Sequence, residues 1–221
     1  MDNQITYPYI EQFLSELEPP EDPFLKALEE VARRDNVPAA VRPTARLLHV
    51  LAALKQPKRI LEVGTAIGYS ALTMYVGSGK RAKIVTIEKD EERFLLARNY
   101  MRDYGALEDI KPLCGDAEEI LETLEPGFDM IFIDAAKGAS MRYFEKVLPL
   151  SCPGGMIVTD NVLYGGRTAA PGEPEHKHRT GVRVMRDYLD FLCSDPRFYT
   201  AVLPVGDGVA VTLLKTKPEE K

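Results

Sequence analysis

The sequence predicts an α/β fold with a mainly parallel sheet of roughly seven strands, helices on both faces and extra helices ahead of the sheet. Short runs rich in Val, Ile and Leu alternate with helical patterns along most of the chain, which is typical of parallel strands joined by helices. The last two apolar runs are joined only by residues 206–208, Gly-Asp-Gly. Because this turn is too short for a crossover, we expect the last pair of strands to be antiparallel.

The chain divides into a helical part, residues 1–56, and a sheet core, residues 57–221, which we expect to form one domain. The helical part includes "PTARLLHVLAALK", which packs ahead of the sheet in this interpretation. Between the strands, "DEERFLLARNYMRDYG" opens with acids and stops at Gly105, and "MRYFEKVLPL" is a second helical pattern. The strand candidates are, in chain order, "RILEV", "KIVTIE", the weaker "IKPLCG", "DMIFID", "GMIVTD", "YTAVLPV" and "VAVTLL".

The composition is that of an ordinary globular protein, with 45% hydrophobic and 28% charged residues. No apolar run approaches the roughly 20 residues that cross a bilayer, so we expect no membrane partner. The first residues are acidic and lack the order of a secretory signal. Three cysteines lie far apart, which favours buried thiols in a reducing compartment over disulfides or a zinc site. We therefore expect a cytoplasmic location.

The net charge of −6 argues against indiscriminate binding of nucleic acids, which depends on neutralising phosphates. A local basic run does exist in "HKHRTGVRVMR", residues 176–186, which contains no acid. Such a run is ordinarily the solvated face of a helix, so alone it predicts no partner.

A glycine turn follows the first strand in "RILEVGTAIGYSAL". A dinucleotide fingerprint starting at Gly64 would need glycine where Ala66 and Tyr69 stand, which argues against an NAD-dependent dehydrogenase. Glu62, just before the turn, would repel a pyrophosphate. The same carboxylate suits a ligand that carries an ammonium and a sulfonium, so the turn favours S-adenosylmethionine.

Acids also end the next two strands. Glu88 follows the turn by about 20 residues, at the place where an acid accepts hydrogen bonds from ribose hydroxyls. Asp116 follows the third strand and is placed to reach an adenine amino group. Each acid alone has an ordinary structural explanation, but their register on consecutive strands predicts an S-adenosylmethionine site.

A second group of oxygen-bearing side chains follows the fourth and fifth strands. Asp134 and Asp160 end these neighbouring strands, and Asn161 adjoins the second acid. Two carboxylates and an amide are hard ligands that suit Mg²⁺, or equally Mn²⁺, and the lack of His and Cys argues against zinc. Alone, the Asp-Asn pair is as typical of a turn. With Asp134 and the nearby Lys137, it favours a metal site.

Three segments, "LEVGTAIGYSA", "FIDAAKG" and "TDNVLYGG", resemble the cation-dependent O-methyltransferase family, which includes catechol and caffeoyl-CoA O-methyltransferases. The resemblance runs from about Ile5 to Lys215 and implies a Rossmann-like class I methyltransferase sheet and a homodimer. It implies that Asp134, Asp160 and Asn161 bind the metal and that Lys137 is the general base beside the catalytic Asp134. The implied cofactor residues are Ala40, Val41, Glu62, Gly64, Ser70, Glu88, Asp116, Ala117 and Asp134.

Longer segments, "KQPKRILEVGTAIGYSA", "IFIDAAKG", "TDNVL" and "PVGDGVA", resemble a bacterial subgroup that methylates 5-hydroxyuridine at the tRNA anticodon wobble position to 5-methoxyuridine. A 5-hydroxyl beside the 4-carbonyl offers two neighbouring oxygens, as a catechol does. In this interpretation residues 165–181 form a Gly/Pro-rich loop, long enough for an active-site lid, that leads into the basic run. The predicted RNA contacts are Arg167, Lys177, Arg179 and Arg183.

Other functions remain open at this point. A catechol or phenolic small-molecule O-methyltransferase is the alternative enzyme. A module that only senses S-adenosylmethionine or binds RNA is a third possibility, but it has no need of both a metal and a base.

Overall fold

A computed structural model describes residues 5–17, 22–134 and 139–216. Its sheet has seven strands in the order β3-β2-β1-β4-β5-β7-β6. The strands are β1 (Arg59–Val63), β2 (Lys83–Glu88), β3 (Ile110–Cys114), β4 (Phe128–Ile133), β5 (Ser151–Thr159), β6 (Phe198–Leu203) and β7 (Val209–Leu214). The helices are α1 (Pro8–Glu16), α2 (Pro23–Arg34), α3 (Arg42–Lys55), α4 (Tyr69–Gly77), α5 (Glu91–Asp103), α6 (Ala117–Leu121), α7 (Ser140–Val147) and α8 (Arg179–Ser194).

The first five strands are parallel to one another, and β7 is antiparallel to both of its neighbours, β5 and β6. The predicted α/β class and the antiparallel last pair are therefore confirmed. The position of β7 is new: it lies between β5 and β6, so the last strand of the chain is internal and β6 forms the edge.

Two apolar layers cover the sheet, as the continuous hydrophobic strands predict. Alternate residues of β1 show the division, because Ile60 packs with α2, α3, α4 and α5, whereas Leu61 packs with α6, α7 and α8. Both side chains are fully buried. The helices cover both faces of the sheet and bury its side chains. The carboxyl ends of the parallel strands stay uncovered and can form a site.

Helix starts and stops follow local chemistry. Asp90 caps α5, because its carboxylate accepts a hydrogen bond from the backbone N–H of Arg93 at 2.9 Å. The chain leaves this helix through Gly105, whose φ of +80° is the left-handed conformation that the sequence predicts for a helix stop.

The cysteine prediction is wrong in one respect. All three thiols are free, but Cys114 and Cys193 are exposed and Cys152 is half-buried. Cys114 is exposed because β3 is an edge strand, and Cys193 faces solvent in the last turn of α8. In the part of the chain that the structure describes, no helix has both the length and the apolar character needed to cross a membrane.

Candidate functional site

The carboxyl ends of β1, β2 and β4 surround a cavity of about 480 Å³. This volume suits a nucleoside-sized ligand, since pockets for small molecules commonly measure 300–1,000 Å³. Its walls carry four of the predicted cofactor residues, which are Gly64, Glu88, Ala117 and Asp134. Asn161, a predicted metal ligand, also lines it. The cavity therefore brings predicted cofactor and metal residues together.

The glycine turn approaches Asp134 so closely that a side chain has no room. Gly64 has a φ of +100°, and a Cβ built there would lie 2.1 Å from the backbone oxygen of Asp134. The backbone N–H groups of Gly64 and Thr65 both donate to the carbonyl of Ile87, which ties the turn to β2. The absence of a side chain at Gly64 therefore allows the close approach of the residues that follow β1 and β4, and it also shapes the cavity wall.

Glu88 is fixed by the backbone on both sides of its carboxylate. Oε2 accepts a hydrogen bond from the N–H of Ala66 at 2.8 Å, and Oε1 accepts one from the N–H of Asp90 at 2.9 Å. Ala66 has a φ of +47°, a conformation that this hydrogen bond helps to hold. Glu88 is thus a pre-oriented acceptor at the cavity wall.

Glu62 is completely buried at the end of β1. The hydroxyl of Thr86 donates to its Oε2 at 2.5 Å, and Oε1 makes no hydrogen bond to the described residues. The Ser70 hydroxyl is a further polar neighbour that lowers the pKa of this carboxyl. Burial raises the pKa of Glu62 to about 8, and the charges of Asp134 and Glu88 act in the same direction. An unpaired buried carboxylate is costly, so this oxygen fits a cationic group brought by a ligand.

The raised pKa of Glu62 predicts a pH-dependent stability of the ligand-free protein. The folded state takes up a proton between the ordinary pKa near 4.5 and the folded value near 8. Stability is therefore highest below this window and falls as the pH rises through it, by up to about 1.4 kcal/mol per pH unit. Urea unfolding from pH 5 to 8 should give a flatter profile for Glu62→Gln than for the wild type. Equal slopes would show that Glu62 titrates normally.

The remaining predicted cofactor residues lie outside the described lining of the cavity. Asp116 accepts a hydrogen bond from the N–H of Glu118 and pairs with Lys89 at 2.8 Å, so part of its acceptor capacity is already used. Ser70 is buried in the first turn of α4, where its hydroxyl favours the ionised form of Glu62 and thus lowers its pKa. Ala40 is buried, whereas Val41, which precedes α3, is 51% exposed.

Eight residues of the cavity lining were not among the predicted site residues: Pro38, Val63, Ala66, Ile87, Lys89, Arg93, Gly115 and Tyr143. Lys89 and Arg93 follow β2 closely in the chain. Proximity to the end of a parallel strand was the available signal for these two residues.

The predicted metal residues lie together at the ends of β4 and β5. Oδ1 of Asp134 lies 3.1 Å from Nδ2 of Asn161, and Oδ1 of Asp160 accepts the backbone N–H of Asn161 at 2.7 Å. Asn161 has a φ of +64°, a conformation that asparagine tolerates better than most residues. The amide nitrogen of Asn161 faces Asp134, so a half-turn of the amide group would bring its oxygen to this place instead.

The electrostatics of this group fit a divalent cation. Asp160 is only 6% exposed, and burial raises its pKa to about 7, with the charge of Asp134 adding to the effect. A bound cation would relieve this repulsion, and carboxylate and amide oxygens are the ligands that Mg²⁺ and Mn²⁺ accept. Within the described ranges no three His, Cys, Asp or Glu residues form a cluster that could hold a metal ion. Lys137, the predicted base, lies outside the described residues.

The turn between β6 and β7 anchors the chain just after the metal residues. The backbone N–H groups of Val162 and Leu163 donate to the carbonyls of Gly208 and Asp207 at 3.0 and 2.9 Å. The carboxylate of Asp207 also accepts the N–H of Gly165. The segment that leaves Asn161 is therefore held by the last hairpin.

Three cations of the basic run pair with acids. Lys177 and Arg179 lie 3.3 and 3.6 Å from Glu175 and Glu173, which belong to the loop before α8. Arg183 lies 4.0 Å from Asp187 on the same helix. The guanidinium of Arg167 stacks on the ring of Tyr164, with 5.4 Å between Cζ and the ring centroid. The three pairs with acids reduce the positive potential that RNA binding requires, whereas the neutral ring of Tyr164 leaves the charge of Arg167 in place.

The strand order β3-β2-β1-β4-β5-β7-β6 with an antiparallel β7, together with the cavity at the carboxyl edge, defines a class I methyltransferase fold. The chain belongs to the O-methyltransferase family, whose model matches residues 15–216. The predicted family and the prediction of a methyltransferase enzyme are thereby confirmed.

Individual relatives span nearly the whole chain. A catechol O-methyltransferase of Niastella koreensis is 37% identical over 97% of this chain and 100% of its own length. Caffeoyl-CoA O-methyltransferase 1 of Eucalyptus globulus is 30% identical over 85% of this chain and 80% of its own. Among solved structures, the S-adenosylhomocysteine-bound methyltransferase PaMTH1 of Podospora anserina superposes with a TM-score of 0.82 at 31% identity, covering 94% of each chain.

Proposed function

We propose that this protein transfers the methyl group of S-adenosylmethionine to one hydroxyl of a catechol-type phenol at a divalent metal site. The observation that carries the proposal is that Asp134 lines the cofactor-sized cavity and also contacts Asn161. Asp134, Asp160 and Asn161, the predicted metal ligands, are called the metal group below. One substrate oxygen at this edge would thus meet both centres. The relatives named for catechol and caffeoyl-CoA substrates support two adjacent oxygens on an aromatic ring as the substrate feature.

The residues of the cavity fit the cofactor. Glu88, held by two backbone N–H groups, would accept the ribose hydroxyls. Glu62 is fully buried at the end of β1 and is not part of the described cavity lining, and its Oε1 would face the amino group of the methionine part. Ala117 and Gly64 would form apolar and backbone walls. S-adenosylmethionine, when bound, supplies the methyl group as an electrophile.

The residues of the metal group fit a role in orienting the substrate. Asp134, Asp160 and Asn161 would hold the cation, which supplies a Lewis acid that lowers the pKa of a bound hydroxyl. Lys137, identified from the sequence, would take the hydroxyl proton. Because these residues form no covalent bond to the substrate, catalysis in this proposal depends on positioning and charge.

Methyl transfer from labelled S-adenosylmethionine to matched phenols tests the proposal. The panel comprises a catechol, the corresponding monophenol and a catechol with one hydroxyl already methylated. We expect turnover of the catechol alone, loss of turnover in EDTA and recovery with Mg²⁺ or Mn²⁺. Equal turnover of the monophenol, or turnover that EDTA leaves unchanged, would contradict a site that binds two adjacent oxygens through a metal.

The tRNA substrate stays a prediction. It derives from the segments shared with the 5-hydroxyuridine subgroup, whereas the relatives above are named for small phenols and thioesters. The acids beside Lys177, Arg179 and Arg183 weaken the case for RNA contacts. The same assay includes tRNA that lacks only this methyl group, and a kcat/KM above that of catechol would reverse the order of the two substrates.

We also propose one domain, a cytoplasmic location and a homodimer. No residue of α1 is buried, and α3 presents Val50 and Leu54 to solvent on the same side, four residues apart. Arg46 of α3 donates to the carbonyl of Leu17, which joins the two exposed apolar surfaces. An isolated helix of nine residues is marginal in water, so a second copy that covers α1 would account for its formation. Sedimentation equilibrium tests the assembly.

A further inference from the structure

We propose that Thr86, with Thr65 behind it, is a positioning residue that directs Glu62 toward the amino group of the cofactor. The inference rests on the proposed function, because it concerns the same cofactor. It adds a role for two threonines that line neither the cavity nor the metal group in the described structure.

The two strands place these residues side by side. Glu62 of β1 and Thr86 of β2 are direct partners in the parallel register, so their side chains leave the sheet on the same face. Thr86 Oγ1 lies 2.5 Å from Oε2 of Glu62 and 2.5 Å from Oγ1 of Thr65. All three side chains are buried, with at most 1% exposure.

The number of hydroxyl protons sets the direction of this chain. A threonine hydroxyl has one proton to donate, so when Thr86 donates to an ionised Glu62, Thr86 must accept from Thr65. Both hydroxyl dipoles then point toward the carboxylate and favour its negative charge. Hydrogen bonds to charged groups are stronger than those between neutral groups, especially where water is excluded.

The chain also links Glu62 to the glycine turn. The backbone N–H of Thr65 donates to Ile87 at 3.2 Å, so its side chain reaches Thr86 from a fixed backbone. Oε2 of Glu62 therefore accepts a hydrogen bond from Thr86, whereas Oε1 makes none to the described residues, and the Ser70 hydroxyl is a further polar neighbour of the carboxylate. The carboxylate is thus held by one oxygen, and the other is left for a ligand.

A purely structural role explains the arrangement less well. Most side-chain hydrogen bonds in proteins go to the backbone or to water, and a valine would fill the buried space at Thr86 without a polar group. A buried acid with an unoccupied oxygen destabilises the ligand-free fold. The acid together with the hydroxyl chain from Thr65 through Thr86 is expected where a cationic ligand completes the group.

Calorimetric binding of two ligands tests the inference. S-adenosylhomocysteine carries the amino-acid end, and 5′-methylthioadenosine has the same nucleoside and sulfur without it. For Thr86→Val we expect the Kd of S-adenosylhomocysteine to rise about tenfold to thirtyfold and that of 5′-methylthioadenosine to change less than about twofold. Thr86→Ser keeps the hydroxyl and should restore binding to within about threefold of wild type. Thr65→Val should act in the same direction by about threefold.

Each outcome decides between explanations. Equal weakening of both ligands by Thr86→Val, or no recovery in Thr86→Ser, would mean that the threonine only supports the fold and would overturn the inference. If Thr86→Val bound S-adenosylhomocysteine as tightly as the wild type does, the inference would also be overturned. The proposed function would then still stand, because the wild-type protein binds the cofactor product. If wild-type protein binds neither ligand, the proposed function fails and the inference fails with it. Should Thr86→Val not fold, Thr65→Val, with Thr65→Ser as its control that keeps the hydroxyl, provides the comparison with the same two ligands.

Discussion

Replacing Asp160 with alanine is expected to lower kcat for catechol methylation by about a thousandfold or more and to abolish tight binding of Mn²⁺. Loss of the buried carboxylate of Asp160 would leave only Asp134 and Asn161 as proposed metal ligands. One acid and one amide are too few protein ligands for a firmly held cation. Loss of the metal removes several kcal/mol of stabilisation of developing charge, and about 1.4 kcal/mol corresponds to each tenfold in rate. Turnover at saturating substrate and Mn²⁺ titration followed by electron paramagnetic resonance measure the two effects.

The stability of the same variant separates metal loss from unfolding. Asp160 is a buried acid whose pKa is raised by burial, so its removal should leave the Tm of the metal-free protein unchanged or higher. Asp190→Ala removes an exposed acid from α8 and serves as the matched control, with Mn²⁺ affinity and kcat expected at wild-type levels. Wild-type Mn²⁺ affinity in Asp160→Ala would remove this residue from the proposed ligand set.

Replacing Gly64 with alanine is expected to destabilise the fold by about 3 kcal/mol and to weaken binding of S-adenosylhomocysteine at least about tenfold. The new Cβ would lie 2.1 Å from the backbone oxygen of Asp134, so β1 and β4 must move apart. Both residues line the cavity, and the movement therefore changes the cofactor wall as well as the sheet. Urea unfolding and calorimetry measure the two losses.

Gly105→Ala is the matched control for that substitution. Gly105 has a φ of +80°, a left-handed conformation like that of Gly64. Apart from its chain neighbours, however, no described atom lies within 4 Å of the position of its Cβ. We expect about 1 kcal/mol of destabilisation from backbone strain and unchanged ligand affinity. If Gly64→Ala matched this control in both measurements, backbone conformation alone, without the close approach of Asp134, would explain the glycine.

The strands and their ends were predictable because local signals agree with the sheet. "RILEV" and "KIVTIE" coincide with β1 and β2, since buried parallel strands are continuously apolar and end in polar turns. The same rule places Glu62, Glu88, Asp134 and Asp160 at one edge, where the structure has them. The position of β7 between β5 and β6 was not predictable, because strand order depends on pairings between distant segments.

The contacts of single side chains were harder to predict from the sequence than their positions in the fold. Asp116 was predicted to face adenine, but its hydrogen bond to α6 and its ion pair with Lys89 depend on side-chain directions that no sequence pattern specifies. Residues 176–186 contain no acid, so the sequence alone did not show that Lys177 and Arg179 pair with acids. Their partners, Glu175 and Glu173, lie just before this run. The hydroxyl chain from Thr65 to Glu62 joins two segments about 20 residues apart and emerges only from strand register.

The anchoring of residues 162–165 by the last hairpin has a consequence for biosynthesis. Asp160 and Asn161 emerge from the ribosome well before β6 and β7, yet the backbone bonds that fix the segment behind them come from Asp207 and Gly208. Domains generally fold as units once their chain is available. A nascent chain that has completed β5 would therefore carry the proposed metal ligands Asp160 and Asn161 without their final geometry, and the proposed activity would follow only once β6 and β7 have been translated.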